Sequence, residues 1–375
     1  MYSNLTMLEA GVYIHIPFCN AKCYYCDFLS FSDMEEIYSA YVNELLNDIR
    51  YSVIGKVTSV YIGGGTPTVL PLILMEDVLS CLSDLPLVVG AEVSIEVNPG
   101  TVTKDYLKLI KSSGVNRLSF GLQTTCDRLL SIIGRVHTYE QFLKNYLAAR
   151  EVGFDNINVD MIFGLPGQTQ ESFEASLLKI LCLKPQHISF YSLTPCENTP
   201  LWNDMTENNI SLPDDEADRN MYHFALKVLS GQGYRHYEIS NSAKPGYECS
   251  HNIDCWLQKP YIGFGLGAHS FDGQRRWTNP SSFTDYFSKA KPEIDLLSDN
   301  ELMSEAMILG LRLTDGVDEV IFESRYGIKP STFFESQISK LVSDGLLLCA
   351  DNRIRLTSQG LDLANRVFVM FLQGA

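Results

Sequence analysis

Cys19, Cys23 and Cys26 stand within eight residues, spaced C-x3-C-x2-C, directly behind an apolar run that starts at Tyr13. Thiolate is the usual protein ligand of iron–sulfur clusters, so three thiolates from one short loop can hold a 4Fe–4S cube and leave one iron open. An open iron can be chelated by the amino and carboxylate groups of S-adenosylmethionine, and an electron from the cluster can then cleave its sulfonium. Two plainer readings compete. Zinc also takes cysteine, but a closed structural zinc site needs four ligands and usually shows a second C-x2-C or a histidine pair, and neither follows Cys26. His15 is a further donor nearby, yet in a strand its side chain is expected to point across the sheet and not into the loop. Inert cysteines buried in a core are the other reading.

The cysteines need a scaffold, and the first half of the chain repeats one pattern of apolar run, turn and amphipathic segment. Val12 to Pro17, Ser59 to Gly65, Glu92 to Pro99, Arg117 to Thr124, Asn156 to Pro166 and His187 to Pro195 read as strands, rich in Val, Ile, Tyr and Phe. Between them, a capping box Ser32-x-x-Glu35 precedes Ile37, Tyr41, Leu45 and Ile49 at helical spacing, and Thr138-x-x-Gln141 opens a helix that Gly153 closes. Strand and helix in alternation imply a parallel sheet covered by helices. The fold class is therefore α/β, with six (β/α) units forming an open partial barrel in place of a closed eightfold one.

Polar residues and glycines fall where these strands end. Gly63, Gly64, Gly65 and Thr66 follow the second strand, Glu96 lies near the end of the third, Gln123 ends the fourth and Asp160 lies in the fifth. Ligands of such sheets bind at the carboxyl ends of the strands, the face on which the cysteine loop also opens. Consecutive glycines let a ligand approach the backbone closely, and a ligand ammonium would be held there. Glu96, Gln123 and Asp160 can accept hydrogen bonds from ribose hydroxyls or an amino group, and Arg135 can pair a carboxylate bidentately. The glycines read alone are also compatible with a tight turn, and Arg135 with a surface ion pair.

The stretches Tyr13-Ile-His-Ile-Pro-Phe-Cys19, Cys23-Tyr-Tyr-Cys26-Asp-Phe28, Gly63-Gly-Gly-Thr-Pro-Thr68, Ser94-Ile-Glu-Val-Asn-Pro99 and Asp160-Met-Ile-Phe-Gly-Leu-Pro-Gly167 together resemble the radical SAM proteins related to oxygen-independent coproporphyrinogen III oxidase, and within that group its heme chaperones. The resemblance covers nearly the whole chain. It implies that Cys19, Cys23 and Cys26 bind a 4Fe–4S cluster, and that Tyr13, Tyr25, Gly64, Gly65, Thr66, Glu96, Gln123, Arg135 and Asp160 contact S-adenosylmethionine. The oxidases carry a further cysteine two places after the third, where this chain has Phe28, and a longer segment before the position of Tyr13. Both differences favour a heme chaperone that passes heme to acceptor proteins, respiratory ones among them, with no coproporphyrinogen oxidase activity expected. The alternative is a radical SAM oxidoreductase that takes hydrogen from a porphyrinogen.

Cys249-Ser-His251-Asn-Ile-Asp-Cys255-Trp256 resembles a His-Asn-x-x-Tyr-Trp motif associated with heme in the chaperones, with Cys255 in the tyrosine's place. His251 is the candidate heme contact. Glycines alternate in Tyr261 to Ser270 without the strand–loop–helix unit of a dinucleotide site, so they are read as close backbone packing. From about Asn300 short helices, a hairpin around Asp351-Asn352 and a last helix give the order of a winged-helix-like α+β domain. The expected division is 1–200 for the radical SAM core, 201–295 for a connecting segment that carries the heme motif and closes the core, and 296–375 for the C-terminal domain.

With 29 basic and 45 acidic residues the net charge is −16, which repels phosphate backbones, so no nucleic-acid partner is expected. Nothing approaches the roughly 20 apolar residues of a membrane span, and the N-terminal residues have no signal-like pattern. A cytoplasmic location follows as the expectation, with the seven cysteines outside the motif mostly in the core. The resemblance leaves a homodimer open.

Overall fold

The computed structural model describes residues 7–52, 54–207 and 209–372. Strands β1 (Met7–Ile16), β2 (Ile54–Gly64), β3 (Leu87–Val97), β4 (Arg117–Gln123), β5 (Asn156–Phe163) and β6 (His187–Ser192) each pair in parallel with the next in the chain. Side chains alternate along a strand, and here the two faces differ sharply. Val12, Ile14, Val60, Ile62, Val93, Ile95, Leu118, Phe120, Ile157, Val159 and Ile188 belong to the large core shared with the covering helices. The intervening positions, among them Tyr61, Ser94, Glu96, Arg117, Ser119, Asn158, Asp160 and His187, are polar or aromatic and give the sheet a hydrophilic face.

The helices follow from ordinary local rules. Thr138 and Gln141 form both halves of a capping box for Tyr139–Val152, and Gly153 ends that helix in the left-handed region at φ 96°. The box expected at Ser32 does not form. The helix starts at Tyr38, after a tight 3-10 turn at Glu35–Ile37, and Ile37 occupies its N-cap without a side-chain bond. Tyr41, Leu45 and Ile49 are buried along it as their spacing predicts.

Residues 201–295 do more than connect. β7 (Arg235–Glu238) and β8 (Asn241–Ala243) extend the sheet beyond β6, while β9 (Tyr261–Phe264) lies parallel to β1 and leads to β10 (His269–Phe271), β11 (Arg275–Thr278) and β12 (Glu293–Leu296). The sheet therefore runs β12-β11-β10-β9-β1-β2-β3-β4-β5-β6-β8-β7 and stays open between its ends. Pro280 to Pro292, read as a connection, contains the helix Phe283–Phe287. The C-terminal part has a separate core including Met307, Phe322, Phe334, Val367 and Phe371, and a small sheet of β13 (Val317–Asp318), β15 (Arg353–Leu356) and β14 (Leu347–Ala350) among its helices, the winged-helix-like order expected. Of the seven other cysteines, Cys81 and Cys249 are in the core as expected, but Cys182 and Cys349 are exposed and Cys196 is half-buried.

The alternate glycines after Tyr261 are packing glycines. A Cβ on Gly263 would collide with the His269 carbonyl, and one on Gly265 with the Tyr41 hydroxyl and the His15 carbonyl. Gly263→Ala is expected to destabilise the fold by about 1–3 kcal/mol, the usual cost of overpacking. Gly231→Ala, at a helix end with nothing within 4 Å of the added carbon, should be neutral or better. Urea unfolding of the two variants beside the parent checks this, and equal midpoints for all three would refute it.

Candidate functional site

The cysteine loop is fastened at its base by main-chain hydrogen bonds. Cys19 N–H donates to Phe31 O at 2.9 Å and Phe31 N–H to Pro17 O at 2.8 Å, zipping the loop's two ends together. Gly65 N–H then reaches Ile16 O at 2.9 Å and Thr66 N–H reaches Phe18 O at 2.7 Å, which ties the glycine turn to the strand that feeds the cysteines. The middle of the loop is held by Tyr24, whose N–H donates to Ile133 O and whose carbonyl accepts from Leu201 N–H.

Cys19, Cys23 and Cys26, with Tyr25, Gly64, Gly65, Thr66, Glu96, Gln123, Arg135 and Asp160, line one cavity of about 460 Å³ at the carboxyl ends of the strands. Two other sequence-derived residues lie behind its wall. Tyr13 stacks on Tyr61, which does line the cavity, and bonds His15 Nδ1 at 2.9 Å. His251, expected on a loop, is buried near the start of the helix Ser250–Trp256, with Nδ1 2.9 Å from Ser59 Oγ and its ring also stacked on Tyr61. His15 does reach the cysteine loop, contrary to the expected direction, but its Nε2 is engaged by Leu29 O at 2.9 Å.

The electrostatics of the cavity come from burying carboxylates beside one another. Burial, then the neighbouring Asp160, push Glu96 up to about 7, against hydrogen bonds from the Tyr61 hydroxyl at 3.0 Å and the Gly64 backbone. Burial also raises Asp160, which Asn158 Nδ2 at 2.7 Å and Ser119 Oγ at 3.3 Å partly offset. Burial raises the Cys19 and Cys26 thiols. The donors nearest the sulfurs are Thr66 Oγ1, 3.6 Å from Cys19 Sγ, and Arg135 Nη1, 3.5 Å from Cys23 Sγ. Arg135 Nη2 donates to Gly121 O at 2.5 Å, whereas its buried Nε has no hydrogen-bond partner among the described residues.

These features fit the groups that the sequence calls for. A Cβ on Gly65 would stand 2.6 Å from Phe18 O and 3.0 Å from Cys19 Sγ, so the cradle is open only because glycine is there. An unpartnered guanidinium nitrogen is costly when buried and suits a ligand carboxylate. Among the described residues no three His, Cys, Asp or Glu side chains are grouped so as to hold a single metal ion. Sequence reasoning missed Tyr61, Asn98, Ser119 and Cys196, which also line the cavity. Asn98 Nδ2 donates to Thr66 Oγ1 at 2.5 Å. Asn98 had a legible signal, since it directly follows the strand that carries Glu96; Cys196 had none.

Two outcomes follow. Gly65→Ala should lower iron retention severalfold after anaerobic reconstitution while leaving far-ultraviolet dichroism unchanged; full retention would show that the cradle is not needed. Because the folded Glu96 holds its proton above the ordinary carboxyl value of 4.5, the folded state binds more protons than the unfolded one between about pH 4.5 and 7. Its contribution is thus intact below that window and is lost as pH rises through 7. Glu96→Gln should remove this loss, so the apo variant gains about 1–3 kcal/mol on the parent between pH 5 and 8, read from urea midpoints.

Comparison with known proteins agrees with this architecture. Residues 13–180 match the radical SAM superfamily and residues 297–363 the HemN C-terminal domain; a radical SAM domain implies a 4Fe–4S cluster and S-adenosylmethionine. The protein named heme chaperone HemW from Lactococcus lactis is 36% identical, over 96% of this chain and 97% of its own. That of Bacillus subtilis is 38% identical over 96% and 99%, and that of Escherichia coli 38% identical over 69% of each. The solved structure of coproporphyrinogen III oxidase (HemN) from Escherichia coli superposes with a TM-score of 0.83 at 23% identity, covering 97% of this chain and 90% of that one, which establishes a common fold. With this identity sustained from end to end, the chain belongs to the HemW family of radical SAM proteins.

Proposed function

We propose that this protein is a heme chaperone that keeps a 4Fe–4S cluster chelated by S-adenosylmethionine and passes heme to acceptor proteins. Relatives bearing the heme chaperone name over nearly their whole length support the reading. The observation that carries it is at the cavity rim: three thiols are kept, but Phe28 stands 68% exposed where the oxidase pattern has a further cysteine.

A 4Fe–4S cluster bound by Cys19, Cys23 and Cys26 would supply an electron to S-adenosylmethionine. The chain's own residues bind and orient. Cys19, Cys23 and Cys26 ligate; Thr66 and Arg135 donate toward the sulfurs and offset their charge. The free Nε of Arg135 takes the ligand carboxylate. Gly64 and Gly65 leave room for its amino group, while Glu96, Gln123 and Asp160 accept from amino and ribose hydroxyl groups. Tyr25 walls the cavity, and Tyr13 acts through Tyr61.

Heme contact near His251 remains part of the proposal. Burial pushes this imidazole down to about 4, so at neutral pH it is an unprotonated donor, the form that can ligate iron. The division at about residues 200 and 295, a cytoplasmic location, and a homodimer belong to the same reading; no helix among the described residues is long and apolar enough to cross a membrane.

Anaerobic reconstitution is expected to load about four irons and four sulfides per chain, and zinc in their place would overturn the cluster. Heme titration should give a saturable absorbance change. Conversion of coproporphyrinogen III under reducing conditions with S-adenosylmethionine would replace the chaperone by the oxidoreductase alternative.

A further inference from the structure

Asn98 directly follows β3 and is tied both to the turn behind β2 and to the residues after itself. Its carbonyl accepts from Thr101 Oγ1 at 2.7 Å, and Thr101 Oγ1 stands 2.6 Å from Thr68 Oγ1. Its amide Nδ2 donates to Thr66 Oγ1 at 2.5 Å, and Thr66 Oγ1 lies 3.6 Å from Cys19 Sγ. Thr66 caps the 3-10 turn Pro67–Val69 to which Thr68 belongs, and both threonines are buried. Four polar residues thus close a ring between the ends of two strands, with a cysteine sulfur on its rim.

A hydroxyl carries one hydrogen and an amide nitrogen only donates, so the direction of every bond in the ring is fixed. Thr101 gives its hydrogen to the Asn98 carbonyl, which makes Thr68 the donor to Thr101. Thr66 accepts from Asn98, so its own hydrogen is left for Cys19 Sγ. The other end of the amide faces Arg135: a Cβ on Gly121 would stand 2.6 Å from both Asn98 Oδ1 and Arg135 Nη2, which sets the amide oxygen on the guanidinium side. Arg135 in turn donates toward Cys23 Sγ at 3.5 Å. The donor at Cys23 carries its own charge, whereas the donor at Cys19 is a neutral hydroxyl whose direction depends on Asn98.

We propose that Asn98 is a positioning residue for the cluster: by donating to Thr66 it holds the Thr66 hydroxyl on Cys19 Sγ, and so raises the reduction potential of a 4Fe–4S cluster bound there. The proposal rests on the cluster reading and adds to it a residue that ligates nothing itself and acts through its neighbour. Reduction adds negative charge, and hydrogen bonds to the sulfurs are among the features that set the potential. A donor aimed at a sulfur therefore stabilises the reduced form more than the oxidised one. Outer partners that orient the ligands of a metal site tune it in this way. Here the orientation is set in advance, because Thr68 and Thr101 hold the Asn98 backbone through bonds that involve neither sulfur nor ligand.

The test is a potentiometric titration of the full chain after anaerobic reconstitution, without S-adenosylmethionine, followed by absorbance and electron paramagnetic resonance, with iron and sulfide counted for each variant. Thr66→Val removes the hydroxyl and should lower the ratio of reduced to oxidised cluster at a fixed potential about tenfold, a shift of about 59 mV for a one-electron couple. Thr66→Ser keeps the donor and should stay within about twofold of the parent. Asn98→Ala should lower the ratio about threefold, and should change nothing further when Thr66→Val is already present, because Asn98 acts through that hydroxyl. A loaded Thr66→Val at the parent potential, a Thr66→Ser shift as large as that of Thr66→Val, or an Asn98→Ala shift of equal size in both backgrounds would overturn the proposal. Should Thr66→Val take up no iron, Asn98→Ala alone decides, and the parent potential in that variant sinks the idea. A parent that loads zinc, or no iron at all, overturns the cluster reading and the role of Asn98 with it.

Discussion

Two backbone hydrogen bonds, Gly65 N–H to Ile16 O and Thr66 N–H to Phe18 O, hold the whole site together. Each is worth only about 0.5–1.5 kcal/mol net, but they join the ends of β1 and β2 just where the cysteines leave one and the glycines leave the other. The parallel register of these strands sets Ile16 opposite Gly64, so the next residues are brought within reach without any loop having to search. Sulfur position is thus a consequence of strand pairing. A side chain at Gly64 would meet the ring of His15, and one at Gly65 the Phe18 carbonyl, so the same contacts that locate the cysteines also dictate glycine on the facing turn.

Beneath the cavity the sheet solves a harder problem, that of burying charge. Glu92, Arg117, Glu96 and Asp160 all point to the hydrophilic face of the strands, and an isolated charge there would be prohibitive. Burial disfavours the charged form of Arg117, while Cys249, Glu92 and Tyr61 around it push the other way and win, so its pKa is raised. Glu92 in turn accepts from Ser94 Oγ, Cys249 Sγ and Ser250 N–H. A second chain of bonds runs from Asp160 through Asn158 to His187 and the Tyr237 hydroxyl. The acids of the candidate site are therefore supported from below by a hydrogen-bonded network, which fixes their orientation before any ligand arrives.

How much of this could be read from the sequence depended on range. Strand cores such as Val60 to Ile62 and Leu118 to Phe120 announced themselves through residue type, and Gly65, Glu96, Gln123 and Asp160 announced the site because each interrupts or ends such a run. What failed was whatever depends on distant partners. Ser32 and Glu35 match a capping pattern, yet Phe31 is pinned to Pro17, and the chain enters the helix through a 3-10 turn. Residues 201–295 looked like a connection because their strands are only three or four residues long, too short for a periodic signal. His251 read as a loop histidine because nothing local reveals that Ser59 and Tyr61, nearly two hundred residues earlier, close over it.

That enclosure is anchored at both ends of the short helix. Cys249 and Ser250, at the start of the His251 helix, donate to Glu92, and at its end Trp256 lies under the Arg312 guanidinium, 4.3 Å from the ring centre. Arg312 belongs to the C-terminal domain and also faces the buried Glu238 at 3.6 Å. Lifting the helix to expose His251 thus sacrifices a cation–π contact of about 0.5–2 kcal/mol and charge-assisted hydrogen bonds of about 1.5–3 kcal/mol each, and it leaves buried acids short of partners. His251 is thus enclosed by contacts that reach from β2 to the C-terminal helices, and the short helix that carries it is anchored at both ends.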